Sequence, residues 1–289
     1  MSINNSSSKN YYIGGYFGKT LIDANAQDLR LTITDLLATS NGEAIDTEIM
    51  LGNVTQSSGG VYLGGYIGKI EGLGVLGTFE EKTINVKLNL TINGSSKIDN
   101  LYSGLLIGQN TSKSTLSFDG QNSIFNGGLY IDKNVNVKNL KAGGIIGSNN
   151  GGEIKISEIS TINYEVNNSD SQTIKKLNKN DFTTTEFGGE VEVLESAYIG
   201  VVAGETLSQF TFTGTSSTTY LNNTDKTDIR VKASEDIRVN IGSILGYLGT
   251  SVSKLDITGN ITSNANFLVS GESSNVNVGG IIGNIENGA

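Results

Sequence analysis

One short block recurs through this chain and governs what it can fold into. The block is Gly-x-φ-φ-Gly, where φ is apolar. Its paired glycines are Gly14 and Gly18, Gly64 and Gly68, Gly104 and Gly108, Gly143 and Gly147, Gly200 and Gly204, Gly242 and Gly246, and Gly279 and Gly283. The closing glycines of the seven copies, Gly18 to Gly283, are 265 residues apart over six intervals, a mean period of 44, with single intervals from 37 to 57. A fixed block at such a period marks a repeat architecture.

In extended chain, neighbouring side chains point to opposite faces. One face of the block then reads apolar, small, apolar, as in Leu63, Gly65 and Ile67 or Ala142, Gly144 and Ile146. The other face sets Tyr16, Tyr66, Leu106, Ile145, Val202, Ile244 or Ile281 between two glycines. Both faces are apolar, which predicts a strand running through the block and covered on both sides. Glycine weakens an isolated strand. Its recurrence in one frame predicts close approach of a second layer, or a kink.

The chain has 289 residues, 38 of them glycine, and no Pro, Cys, His or Trp. Asn, Lys and Ile are plentiful, and Arg occurs only at positions 30, 230 and 238. That bias resembles the product of an AT-rich genome, which would deplete Gly as well; the glycines are therefore read as held by structure. Without proline, strands can pair along both edges. The formal net charge of −9 argues against nucleic acid or an anionic membrane as partner. No apolar run approaches the roughly 20 residues of a membrane-spanning helix. No Cys excludes disulfides and thiolate metal sites.

Residues 1–10 are polar, lack the apolar core of a secretory signal, and are expected to be without structure. Residues 11–289 read as one repetitive unit. A second strand signature, φ-x-φ-polar followed by Gly or an acid, occurs at Leu31-Thr32-Ile33, Leu90-Thr91-Ile92, Leu116-Ser117-Phe118, Ile154-Lys155-Ile156, Phe210-Thr211-Phe212 and Leu255-Asp256-Ile257. One face only is apolar there, the mark of a half-exposed strand. Alternating stretches such as Val191-Glu192-Val193 and Val276-Asn277-Val278 precede several blocks. Residues 23–37 are the nearest approach to a helix. Long insertions are read at 69–83, 163–190 and 215–228, and the last two, rich in Asn, Ser, Thr and Asp, are expected to be surface loops. Neither end resembles a capping repeat, so a segment of a longer chain is expected.

These features together predict an all-β chain, an elongated parallel β-solenoid of about seven irregular repeats. A chain of small β-sandwiches ranks second, because units of this size bury too little surface to stand alone. Residues 142–157 (AGGIIGSNNGGEIKIS) resemble the GLUG-type repeat, Gly-Gly-φ-φ-Gly-x-Asn-x-Gly-x-φ; residues 278–286 and 62–70 match its glycine part. The repeat's Asn is present at Asn110 and Asn149 and replaced at the other copies. The resemblance implies a β-solenoid from a large bacterial surface protein or adhesin, and with it a bacterial cell-surface location.

Catalytic inventories are thin. Without His or Cys there is no Ser-His-Asp or Cys-His constellation, no His metal site and no zinc finger; no cofactor and no metal are expected. Residues 15–20 (GYFGKT) lack the first glycine of a phosphate-binding loop. The cluster Lys175, Lys176 and Lys179 reads as a solvated loop. Glu190 and Glu192, with Glu195 nearby, are the carboxylates best placed for glycoside cleavage, but the wet face of a strand is the favoured reading. Glu235-Asp236 reads as a turn. Tyr12, Tyr62, Tyr102 and Tyr198 each stand two residues before a motif glycine, so stacked repeats would align them as an aromatic row, interrupted by Lys141, Asn240 and Asn277. Such a row packs across strands or binds a ligand.

The expected function is non-enzymatic: an extracellular adhesin or stalk segment that binds a host or environmental glycan or protein through exposed rows and loops, without inserting in a membrane. The alternatives are a polysaccharide-cleaving β-helix and a structural subunit of a filament or sheath, in which coil ends associate end to end.

Overall fold

The computed structural model describes residues 2–4, 10–22, 39–40, 43–44, 47–56, 58–72, 79–80, 85–113, 115–168, 190–223, 228–250, 252–272 and 275–286. They are all-β, with no helix among the described residues. Strands join a 20-stranded sheet, a seven-stranded sheet and a two-stranded pair. Pairing in the two large sheets is parallel, as at Tyr12 with Tyr62 and at Ile107 with Ile146. Among the described residues only Thr39–Ser40 and Glu43–Ala44 pair antiparallel.

The block is a corner, and this corrects the expectation of one continuous strand. Strands Asn10–Gly14, Gly60–Gly64, Lys97–Gly104, Asn136–Gly143, Val191–Gly200, Arg238–Gly242 and Asn275–Gly279 all end on the first motif glycine. Two residues bend. Strands Phe17–Ile22, Ile67–Gly72, Ile107–Asn110, Ile146–Asn149, Ala203–Thr206, Leu245–Leu248 and Ile282–Ile285 then start in the other sheet. The glycines make this bend sterically open. A Cβ on Gly104 would lie 2.3 Å from Ile107 O, across the bend itself. A Cβ on Gly108 would lie 2.5 Å from Gly68 O and 2.8 Å from Leu63 N, so the second strand rests on the backbone of the first sheet.

Successive corners are hydrogen-bonded neighbours. Gly14, Gly64, Gly104, Gly143, Gly200, Gly242 and Gly279 form one column. Phe17, Ile67, Ile107, Ile146, Ala203, Leu245 and Ile282 form another, in chain order. Each repeat thus adds one strand to each face of the corner.

The remaining side of each repeat is built of longer strands. Leu116, Ile154, Phe210 and Leu255 share a column, as do Phe118, Ile156, Phe212 and Ile257. Leu90 does not join them, though it carries the same signature; it pairs with Leu129. Leu116, Ile154, Phe210 and Phe212 fill the interior together with Leu90, Leu129, Tyr164, Val193 and Ile146. Beside this apolar filling runs a short buried amide ladder: Asn110 Nδ2 donates to Asn149 Oδ1 at 2.8 Å, and Asn149 Nδ2 donates to Gly152 O at 2.9 Å. The pairing satisfies groups that would be costly to bury alone.

Several expected insertions are partly strand. Residues 69–72 continue Ile67–Gly72, 163–168 continue Ile154–Asn168, and Thr219–Leu221 is a strand inside 215–228. Ser2–Asn4, in the stretch expected to lack structure, pairs with Met50, Leu51 and Gly52. Residues 5–9, the helix candidate at 23–37 with Leu31-Thr32-Ile33, most of 73–83, residues 169–189 with Lys175, Lys176 and Lys179, and 224–227 lie outside the described residues.

Candidate functional site: a tyrosine and lysine ridge

Parallel in-register pairing fixes neighbouring strands about 4.8 Å apart. A side chain repeated in one column must therefore lie on its own copy. Tyr12, Tyr62, Tyr102, Lys141, Tyr198, Asn240 and Asn277 are such a column. Tyr12 and Tyr62 stack with ring centroids 5.1 Å apart and planes at 8°; Tyr62 and Tyr102 stack at 5.0 Å and 6°. Tyr62 is buried, while Tyr12, Tyr102 and Tyr198 are half-buried.

The facing strand supplies a second column, five residues past each first motif glycine: Lys19, Lys69, Gln109, Ser148, Glu205, Tyr247 and Asn284. Lys19 Nζ lies 5.2 Å from the Tyr12 ring centroid and Lys69 Nζ 4.7 Å from that of Tyr62. A cation over an aromatic face is attracted by the ring quadrupole. Glu71 draws both ammonium groups, Lys19 at 2.5 Å and Lys69 at 3.2 Å.

Lys141 stands where a fourth ring would be. Its ammonium lies 5.5 Å from the Tyr102 ring and 5.8 Å from the Tyr198 ring, so it bridges the break. It also donates to Glu205 Oε2 at 2.7 Å, and Ser148 Oγ donates to the same oxygen at 2.7 Å. Glu205 is thereby buried with partners, as a buried charge requires. Tyr198 stacks across the corner on Tyr247, at 4.6 Å and 17°. The Tyr247 hydroxyl in turn donates to the Glu286 carboxylate.

These environments hold the phenols in their neutral form. Burial pushes the Tyr102 hydroxyl up to about 12, with the charges of Tyr62 and Glu205 adding and a hydrogen bond with Gln109 opposing. Burial likewise raises Tyr62 and Tyr198; for Tyr198 the Arg238 guanidinium works against it. Glu71 is held below the usual carboxylate range, chiefly by its hydrogen bond from Lys19. At neutral pH the ridge therefore presents phenol hydroxyls beside ammonium groups. The faces that Tyr12, Tyr62 and Tyr102 turn to one another are consumed by stacking. Ring edges, hydroxyls and cations are what this part of the row leaves unstacked.

The four tyrosines named from sequence share one column, but three form one stack and Tyr198 a separate one. The facing column went unnoticed in the sequence, though its frame is as strict as that of the glycines. The carboxylate candidates are engaged elsewhere. Ser270 Oγ donates to Glu190 Oε2 at 2.7 Å, Glu192 contacts Lys232 at 3.4 Å, and Asn139 Nδ2 donates to Glu195 Oε2 at 2.9 Å. Glu235 and Asp236 sit in a turn, Asp236 with φ of 58°. Residues 15–20 form the first corner and part of the strand after it. Among the described residues no three His, Cys, Asp or Glu side chains are grouped to hold a metal ion. Comparison with family models, with curated proteins and with solved structures finds no match to this chain.

Proposed function

We propose that the chain is a β-solenoid segment of a bacterial cell-surface protein, of the GLUG-repeat kind. It works outside the cell, without catalysis, as a stalk or adhesive surface that binds a glycan or protein of the host or environment. One observation carries this reading. All seven corners stack in register, so every column, including the tyrosine and lysine ridge, runs along the axis of the stack. Such a body contacts only its neighbours along the chain and presents extended rows. Seven strands at about 4.8 Å make a ridge roughly 30 Å long, the scale of several sugar units or a short peptide strand. The carboxylates best suited to glycoside cleavage face a serine and a lysine, which supports binding over turnover.

The test is a panel of neutral and acidic polysaccharides, measured for retention of the chain and for release of reducing ends. Retention without release is expected, with retention weakened by Lys69→Ala and Lys141→Ala. Release of reducing ends that vanishes in Glu192→Gln would overturn the reading.

A further inference from the structure

In-register pairing does more than align the tyrosines of the ridge; it holds one phenol against the next. Tyr62 and Tyr102 are partners across parallel strands. Their ring centroids are 5.0 Å apart and their planes lie at 6°. Both strands are interior to the stack, so the backbone fixes this contact from either side.

The far ends of the two rings meet over a glycine. Two residues before the tyrosine stand Asn10, Gly60 and Asn100 on successive levels. A Cβ on Gly60 would lie 2.7 Å from Tyr62 Cζ, 2.9 Å from the Tyr62 hydroxyl oxygen and 3.1 Å from Tyr102 Cε2. The hydroxyl-bearing carbon of one ring and the carbon ortho to the hydroxyl of the other thus share the space that an asparagine fills on the flanking levels. The ortho carbon is where a phenoxyl radical carries much of its unpaired spin. Tyr102 is half-buried and Tyr62 is 8% exposed, so the pair borders solvent. The chain has no Cys or Trp and two Met. Cysteine is the side chain that oxidants otherwise consume first, and its absence leaves tyrosine as the main one-electron donor.

We propose that Tyr62 and Tyr102 are an oxidative cross-linking site, at which a peroxide-driven one-electron oxidant joins neighbouring repeats by a dityrosine bond. Each phenol loses one electron and its hydroxyl proton, giving two neutral phenoxyl radicals. The proton leaves with the electron, so the ammonium groups of Lys69 and Lys141 beside the rings face no added positive charge. The radicals couple through one carbon–carbon bond between ortho carbons. The hydrogen on each of those carbons moves to its phenol oxygen, which restores both hydroxyls. One hydrogen peroxide takes up the two electrons and two protons and becomes two waters. The link closes the chain from Tyr62 to Tyr102 into a covalent loop, which removes freedom from the unfolded state and keeps one repeat from peeling off the next. It needs no ligand on the ridge.

A haem peroxidase with limiting hydrogen peroxide tests this on the 289-residue chain. Blue dityrosine emission is expected, at a yield per chain that does not change with protein concentration. Digestion should release the segment of Tyr62 joined to that of Tyr102, lighter by two hydrogens than the two segments together. Tyr102→Phe keeps a stacked ring and should lose this link. Gly60→Ala displaces the flexible ring ends, so the yield of the link should fall several-fold while the circular dichroism spectrum stays that of the parent. Tyr220, 37% exposed, shows by its own oxidation that the oxidant has acted. Oxidised Tyr220 without the Tyr62–Tyr102 link would overturn the proposal. So would a link whose yield rises with protein concentration, or one that Gly60→Ala leaves at the parent level.

Discussion

Replacing Gly108 with alanine should destabilise the fold far more than the same replacement at Gly280. Gly108 closes one block and Gly280 is the variable residue of another, and neither has a positive φ, so the contrast isolates space from backbone conformation. A Cβ on Gly108 meets Gly68 O at 2.5 Å, Leu63 N at 2.8 Å and Tyr102 O at 3.0 Å. All three are backbone atoms of paired strands, with no rotamer that could yield. Relief requires the two sheets to part beside Leu63 and Ile107, both buried. Overpacking of a filled interior costs about 1–3 kcal/mol, sometimes more, and three backbone clashes place Gly108→Ala at about 3 kcal/mol. Gly280 has nothing within 4 Å; there the lost freedom of the unfolded chain favours alanine by about 0.4–1 kcal/mol. The gap of roughly 3–4 kcal/mol exceeds two decades in the folding equilibrium. Urea midpoints measure it, provided the slopes agree. Stacked repeats can unfold in parts, so amide exchange at Leu63 and Ile107 should also quicken in Gly108→Ala alone. Equal midpoints for the two variants would refute the claim that backbone contact across the corner requires the closing glycine.

Ile146→Asp places an unpaired carboxylate at a fully buried position and should cost about 4 kcal/mol or more. Thr211→Asp, half-buried in the column of Lys155 and Asp256, should cost only about 1 kcal/mol, and similar thermal midpoints would show that the faces are misassigned. Stability should also fall in alkali. Tyr102 holds its proton up to about 12 in the folded chain against 10 unfolded. The folded state therefore binds more protons between those values, and stability is lost as pH rises through that window. Urea midpoints that stay level or climb there, followed alongside phenolate absorbance, would contradict the burial assigned to the ladder.

The column structure was legible because in-register parallel pairing keeps like residues together. Gly14 through Gly279 lie on one line, and so do Tyr12, Tyr62 and Tyr102. The corner was not legible. Alternating apolar and small residues describe a strand covered on both faces, and they describe equally a bend whose residues are enclosed by the repeats on either side. What separates the two is the clearance at Gly104 and Gly108, which depends on chain 40 residues away. The signature at Leu90 misled for another reason: three alternating residues specify a face but no column, and Leu90 belongs with Leu129. The column of Lys19 was hidden by its chemistry. It changes from lysine through glutamine, serine and glutamate to tyrosine, so only its distance from the glycine reveals it.

That change of chemistry explains how the aromatic column survives its own interruption. A lysine in a stack of rings loses hydration and needs compensation. Lys141 finds it in the two flanking rings and in Glu205, whose second donor is Ser148. The facing column carries small or acidic residues at these two levels because the lysine fills the space and supplies the charge. One repeat on, Tyr247 receives the ring of Tyr198, and the aromatic path crosses the corner. Two columns thus trade roles along the axis while each of the first six levels keeps a ring, or a cation against a ring. Beyond Tyr247 the partners are amides, with Asn277 Nδ2 donating to Asn240 Oδ1 at 2.8 Å. The ridge therefore has a direction. Its lysines, Lys19, Lys69 and Lys141, stand on the first, second and fourth levels, the first two paired with Glu71 and the third with Glu205 on the fifth level, and amides lie toward the last.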